Sequence, residues 1–228
     1  SLVRNFPPEL NGAIFDIGGG NGFVSQALQK ANFEVVLVEP GEDGVANAKK
    51  RGVKTIICGT SSSAKLKDAT LAAIGLFDVV EHVEEDDQFI NSMSMLLKDG
   101  GRLYATVPAY QFLWSDEDSN GGHFRRYNLS QFIHLLAQSG LEVNYASYFF
   151  RLLPIPIFFL RSIPHRLGFS KEVLDQKTTL RSHGVREGFL SRGYTKTLHA
   201  ELENVKNQNV MRFGGSCLIA ATKRKNHG

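Results

Sequence analysis

Asp16-Ile17-Gly18-Gly19-Gly20-Asn21-Gly22 closes an apolar strand, Ala13-Ile14-Phe15, and sets glycines two residues apart just before a helix. The spacing predicts that helix over 22–30, with Val24, Ala27 and Leu28 on its inner face. Glycine at such a turn admits positive φ and lets a ligand press against bare peptide. The next apolar run, 33–38, ends in Glu39-Pro40. A carboxylate on the neighbouring strand tip about 20 residues downstream is where a ribose diol is held. Two adjacent strand ends face one crevice, and a nucleotide-like ligand is expected in it.

Dinucleotide-binding domains use G-x-G-x-x-G, whose last glycine lets the helix pack close to the strand. Counted from Gly18 and Gly20 that position is Phe23, and a benzyl group there is expected to hold the helix off the strand. An NAD(P)-dependent oxidoreductase is thereby disfavoured and stays as the alternative. The remaining pattern, D-x-G-x-G-x-G, resembles the first motif of class I methyltransferases that use S-adenosylmethionine. The resemblance implies S-adenosylmethionine as cofactor. Asp16, Gly18, Gly19, Gly20 and Gly22 would pass its methionine part, and Glu39, followed by Pro40, would take the ribose hydroxyls.

Residues 54–58 read as a third strand ending in Gly59-Thr60-Ser61, and the resemblance sets the adenine edge near Thr60. Residues 69–77 read as a fourth, running into Asp78-Val79-Val80-Glu81-His82-Val83; Phe77 and Asp78 at its end are further implied cofactor contacts. Over 85–97, Phe89, Ile90, Met93, Leu96 and Leu97 recur at helical spacing until Lys98-Asp99-Gly100-Gly101 stops them. Strand 102–107, helix 129–138, strand 141–145 and strand 216–222 follow. Such alternation predicts an α/β fold with an open sheet covered on both faces. Its order fits the Rossmann-like, seven-stranded, mostly parallel methyltransferase sheet with an antiparallel last strand.

Three runs sharpen the likeness: 77–86 (FDVVEHVEED), Leu97-Lys98-Asp99-Gly100-Gly101, and Thr106-Val107-Pro108-Ala109. They resemble the type 11 small-molecule methyltransferases that include the ubiquinone-biosynthesis O-methyltransferases. Leu113-Trp114-Ser115-Asp116 and Gly122-His123-Phe124-Arg125-Arg126-Tyr127 are similar to a bacterial subgroup of that family. The likeness is close from Ile14 to about Leu141. About a dozen residues precede the first strand, where the resembled family carries a helix over its cofactor, and the sequence starts at Ser1. A truncated amino end is therefore expected.

With 228 residues and 42% hydrophobic content, one domain over 1–228 is expected, carrying a substrate loop at 109–127 and an apolar and cap insertion at 148–212. Cys58 and Cys217 are too few for a disulfide framework, no signal peptide is read, and a cytoplasmic location follows as the expectation. A net charge of +3, from 26 basic and 23 acidic residues, implies no nucleic-acid partner.

Two regions are candidates for the methyl acceptor. The loop 109–127 leaves the fifth strand over the crevice and is long for a connection. Tyr110, Trp114, His123 and Tyr127 are candidate substrate contacts, with Arg125 and Arg126 as grips for an anionic acceptor. The competing reading pairs an arginine with Asp116, Glu117 or Asp118 to pin the loop. In the second region, Leu152-Leu153-Pro154-Ile155-Pro156-Ile157-Phe158-Phe159-Leu160 is too short to span a bilayer, and its prolines are expected to break the helix. It would line a pocket for an isoprenoid or acyl chain, dip into a membrane surface, or be buried as a lid or dimer contact. Residues 165–200 read as a mobile cap.

Methyl transfer is an in-line displacement, so the protein aligns the acceptor and removes its proton where needed. His82 is the candidate general base, with Glu81 beside it. In the resembled ubiquinone enzymes an acidic-acidic-His set accompanies a divalent ion, which would here be Asp78, Glu81 and His82. The reading adopted holds no metal, with Glu81 capping the next turn. The acceptor is expected to be small or lipid-linked and methylated at oxygen. A cofactor-binding module without catalysis is a further alternative.

Overall fold

The computed structural model describes residues 1–8, 12–168 and 189–225. Strands β1 (Ile14–Ile17), β2 (Val35–Glu39), β3 (Thr55–Cys58), β4 (Leu71–Phe77), β5 (Leu97–Pro108), β6 (Leu141–Phe149) and β7 (Ser216–Lys223) form one sheet. Their order is β3-β2-β1-β4-β5-β7-β6, and β7 runs antiparallel to both of its neighbours while the remaining pairs are parallel. The strand tips that carry the glycine turn, Glu39 and Asp78 thus lie side by side at the carboxyl edge, where open α/β sheets bind ligands.

The central strands are apolar because both faces are covered. Helices α4 (Asp86–Leu96) and α6 (Leu129–Gln138) bring Ile90, Met93, Phe132 and Leu136 against Ile74, Leu76 and Leu103. Opposite, α1 (Leu2–Asn5) adds Leu2 and Val3 to a second core with Ile14, Ala73 and Tyr104, and Leu28 of α2 (Phe23–Lys30) packs on it. A long helix, Phe189–Lys206, closes that side: Asn5 donates to the Val205 carbonyl, and buried Glu201 accepts the backbone N–H groups of Phe150 and Arg151.

Several expectations change. Ala27 is exposed, Leu28 packs inward as expected, and the fully buried α2 residue is Ser25. Phe23 does not hold the helix off the strand: it is 63% exposed with the Arg51 guanidinium 3.5 Å above its ring. Close packing falls to Gly22 instead, at φ 75°, where a Cβ would meet Ala48 and Val53 within 3 Å. Helix α3 (Glu42–Lys50), not among the expected elements, buries Val45 and Ala48 and carries Glu42 and Asp43 in its first turn and Lys49 and Lys50 in its last.

The loop 109–127 is ordered by a 3-10 turn, Gln111–Leu113, and by α5 (Asp116–Asn120), whose Ser115/Asp118 capping box is formed. The prolines of the apolar segment start helical structure rather than break it. Pro154 opens Pro154–Ile157 and Pro156 sits in its first turn, where no N–H partner is required. A π-turn, Phe158–Ser162, and a last turn, Ile163–Arg166, continue it. Of the expected mobile cap, 169–188 lie outside the described residues, and the stretch from Phe189 onward is helical.

Candidate functional site

The glycine turn and Glu39 are joined directly. Glu39 Oε2 accepts the Gly20 N–H at 2.8 Å and Oε1 accepts the Gly41 N–H at 2.8 Å, so the carboxylate stands at the rim of the turn. Gly20, at φ 52°, has nothing within 4 Å of where a Cβ would be, which leaves an open cradle. Gly19 lies against Asp16 and Leu37, and Gly18 against Val79. Beneath them Asp16 is fully buried; Ser25 Oγ donates to its Oδ2 at 2.6 Å while its Oδ1 has no protein partner. Burial, opposed by the Ser25 bond, pushes the Asp16 carboxyl up to about 6. Pro40 and Thr60 are exposed on the adjoining tips, with Thr60 in a turn closed by Ser63. Phe77 folds back over Gly75, so its ring belongs to the sheet face.

Asp78 follows β4 at φ 56° and accepts from Thr106 Oγ1 at 3.0 Å. The 3-10 turn Val80–His82 then turns Glu81 inward, 1% exposed and with Oε2 unpartnered, while His82 faces out. Burial and the neighbouring Asp78 push the Glu81 carboxyl up to about 8. Burial, then the adjacent His123, lower the pKa of His82. The two imidazoles meet edge to face at 4.6 Å. The set associated with a divalent ion, Asp78, Glu81 and His82, is not the one gathered. Among the described residues Glu81, His82 and His123 each bring a ligand-capable atom within 4.8 Å of the others, a spacing that would also admit a cation.

His123 comes from the loop, whose anchors are buried. The Phe124 N–H donates to the Glu81 carbonyl at 2.8 Å, tying the loop to the β4 end. Asp118 Oδ1 accepts from Arg126 Nε at 2.7 Å and pairs with His123 Nδ1 at 2.8 Å; Oδ2 accepts the Ser115 N–H at 2.9 Å. Arg126 is thus committed to Asp118, as the competing reading had it. Arg125 pairs with Asp86 at 3.0 Å and donates to the Glu84 carbonyl. Buried Tyr127 donates to Asp86 at 2.7 Å, which makes it a loop anchor. Both arginines line a cavity of about 460 Å³ with Asp86, Gln111, Tyr127 and Gln131, and no glycine-turn residue borders it. Half-buried Trp114 donates to Ser119, and Tyr110 stacks on Tyr148, Phe112 and Phe213. Asp118 is the residue whose role was least visible, although Ser115-x-x-Asp118 is a legible capping pattern.

The family model of the methyltransferase domain matches residues 1–146. The chain belongs to that family. A probable S-adenosylmethionine-dependent methyltransferase of Mycolicibacterium smegmatis is 25% identical to this methyltransferase over 58% of its chain and 52% of the relative. A ubiquinone biosynthesis O-methyltransferase of Colwellia psychrerythraea is 29% identical over 59% and 62%. The chain spans about half the length of the first of these and under two thirds of the second. A crystal structure from Thermotoga maritima, described as an S-adenosylmethionine-dependent methyltransferase and possible histamine N-methyltransferase, shares the fold at a TM-score of 0.60, with 19% identity, 98% of this chain and 88% of that one covered.

S-adenosylmethionine is the cofactor named for these relatives, and the residues of this chain's glycine turn fit that group. The open cradle at Gly20, the Glu39 carboxylate on the rim and the orphaned Asp16 Oδ1 supply space and acceptors where a ribose and an amino group need them. Glu39 would hold the ribose hydroxyls, and the glycine turn the methionine part. The bound cofactor supplies an electrophilic methyl group on a sulfonium.

Proposed function

We propose that the chain transfers a methyl group from S-adenosylmethionine to oxygen of a small or lipid-linked acceptor. One observation carries the choice of oxygen: two imidazoles, His82 and His123, stand with buried Glu81 at the end of β4, beside the Gly18 turn through Val79. A hydroxyl nucleophile loses a proton during transfer, and a neutral imidazole is the side chain suited to take it near neutral pH. The loop 109–127, pinned by Asp118 and Asp86, holds that corner rigid and aligns the acceptor.

The apolar helix supports the lipid-linked form of the acceptor. Ile155, Phe159 and Leu160 are exposed, and rings run from Tyr110 through Phe112 and Phe158 to Phe159. A tail lying on that path would leave a polar head near Tyr110, at the end of β5.

The test is a thermal-shift titration followed by transfer of a labelled methyl group to phenols with and without an isoprenoid tail. S-adenosylmethionine should raise the Tm and NAD(P) should not; Glu39→Ala should weaken cofactor binding by about 1–3 kcal/mol, the scale for leaving hydrogen-bonded groups unpartnered. A shift with NAD(P) alone would return the reading to an oxidoreductase. Cofactor binding with no transfer to any acceptor would leave a binding module.

A further inference from the structure

Asp118 is ringed by donors: Arg126 Nε donates to Oδ1, where His123 Nδ1 also converges, and the Ser115 N–H donates to Oδ2, while the Ser115 hydroxyl reaches Glu117 Oε2 at 2.8 Å. The carboxylate is 1% exposed. The Arg126 guanidinium is always charged and, like the Ser115 N–H, only donates, so both Asp118 oxygens act as acceptors. An ionised carboxylate only accepts, so His123 Nδ1 must carry the hydrogen. The neutral ring then has its lone pair on Nε2. Two backbone bonds set the direction of that ring: the His123 N–H to the Asp118 carbonyl at 2.9 Å, and the Phe124 N–H to the Glu81 carbonyl at 2.8 Å. His82 is placed differently. It sits on an exposed turn, its ring faces the backbone of Gly121 and Gly122, and it meets the His123 ring edge to face.

We propose that His123, oriented by Asp118, is the proton acceptor for the methylated hydroxyl. The assignment rests on the oxygen-methyltransferase reading. In the step, the acceptor oxygen bonds to the methyl carbon and the carbon–sulfur bond breaks with its electron pair left on sulfur. The hydroxyl proton passes to His123 Nε2. Asp118 is a positioning residue that stabilises the resulting imidazolium through Nδ1–H. His82 bounds the other side of the ring, and Arg126 keeps Asp118 ionised.

The experiment uses the full chain, S-adenosylmethionine, excess chelator and a series of phenols of graded acidity. His123→Gln should lower kcat about 100-fold with a phenol that is protonated at the assay pH. The loss should shrink toward none with a nitrophenol already ionised, and cofactor affinity should stay within twofold. Asp118→Asn should lower kcat with KM little altered, and imidazole should restore part of the His123→Ala rate. Nitrogen NMR of the His123 ring reads the tautomer without any acceptor: Nδ1–H in wild type, lost in Asp118→Asn. An Nε2–H tautomer, an equal loss on ionised and protonated phenols, or wild-type activity abolished by chelator would each overturn the assignment. If wild type binds cofactor and methylates no phenol while the Nδ1–H tautomer is seen, the oxygen-acceptor reading fails and the dyad geometry stands.

Discussion

Glu81 shows how one residue links burial to proton binding. Its carboxyl, pushed up to about 8, holds a proton in the folded chain that the unfolded chain releases near 4.5. The folded state therefore binds more protons between those values, and stability falls as pH rises from about 4.5 to about 8. Glu81→Gln removes that titration at nearly constant shape. In stability against pH, the variant should gain on wild type across this window, by at most about 5 kcal/mol at its upper end, since each of the roughly 3.5 pKa units is about 1.4 kcal/mol. Parallel curves would show that Glu81 is ionised throughout. The sequence placed Glu81 and His82 at a strand end by simple chain order. It was silent on the inward turn of Glu81, because a 3-10 turn of three residues has no periodicity to detect.

At the scale of elements, hydrophobic spacing located α4 and α6 within a residue of their observed ends, because each buries a continuous apolar stripe. It failed where the tertiary contact inverted the pattern. In α2 the buried residue is the hydroxyl of Ser25, made inward by its bond to Asp16, and Phe23 faces solvent under Arg51. The loop 109–127 left two readings open, a ligand grip and an arginine that pins the loop; Arg126 pairs with Asp118 and Tyr127 with Asp86, and Arg125 and Arg126 also line the cavity. Arg126→Ala should therefore cost about 3–5 kcal/mol in chemical denaturation, because it strands a buried carboxylate. Arg125→Ala, whose guanidinium is about a third exposed, should cost about 1 kcal/mol or less. Equal, small losses with a raised acceptor KM would restore the anion-grip role.

At the scale of the whole molecule, the helical stretch 154–166 and its flanks carry a run of exposed apolar side chains. Leu152, Ile155, Phe159, Leu160 and Leu167 are exposed together, and 148–168 contain Arg151, Arg161, His165 and Arg166 with no acidic residue. A salt bridge, Arg161–Glu117, and a contact of His165 Nδ1 with Asp116 Oδ1 at 2.6 Å dock this helix on the loop 109–127. An isoprenoid-bearing acceptor would be met at a membrane surface. Flotation with anionic vesicles should be seen at low salt and should weaken as salt rises. Phe159→Asp with Leu160→Asp should abolish it at unchanged Tm. Concentration-dependent self-association without vesicle binding would assign the face to a second copy of the chain.

The sequence by itself marked an open, mostly parallel sheet and a glycine turn with an acid on the next strand tip, while the resemblance to class I methyltransferases supplied the expected strand order and cofactor. Those features rest on short-range information: a glycine turn between a strand and a helix, an acid on the next strand tip, and an alternation of apolar runs long enough to force a covered parallel sheet. The corner where His82, His123 and Glu81 meet was decided only by the tertiary structure. Glu81 meets the Phe124 backbone, Asp118 meets Arg126 and His123, and Asp86 meets both Arg125 and Tyr127. Many carboxylates stood within reach of each arginine along the chain. Which pair forms depends on which groups the fold removes from water, because a charge left buried without its partner is what the folded chain cannot tolerate.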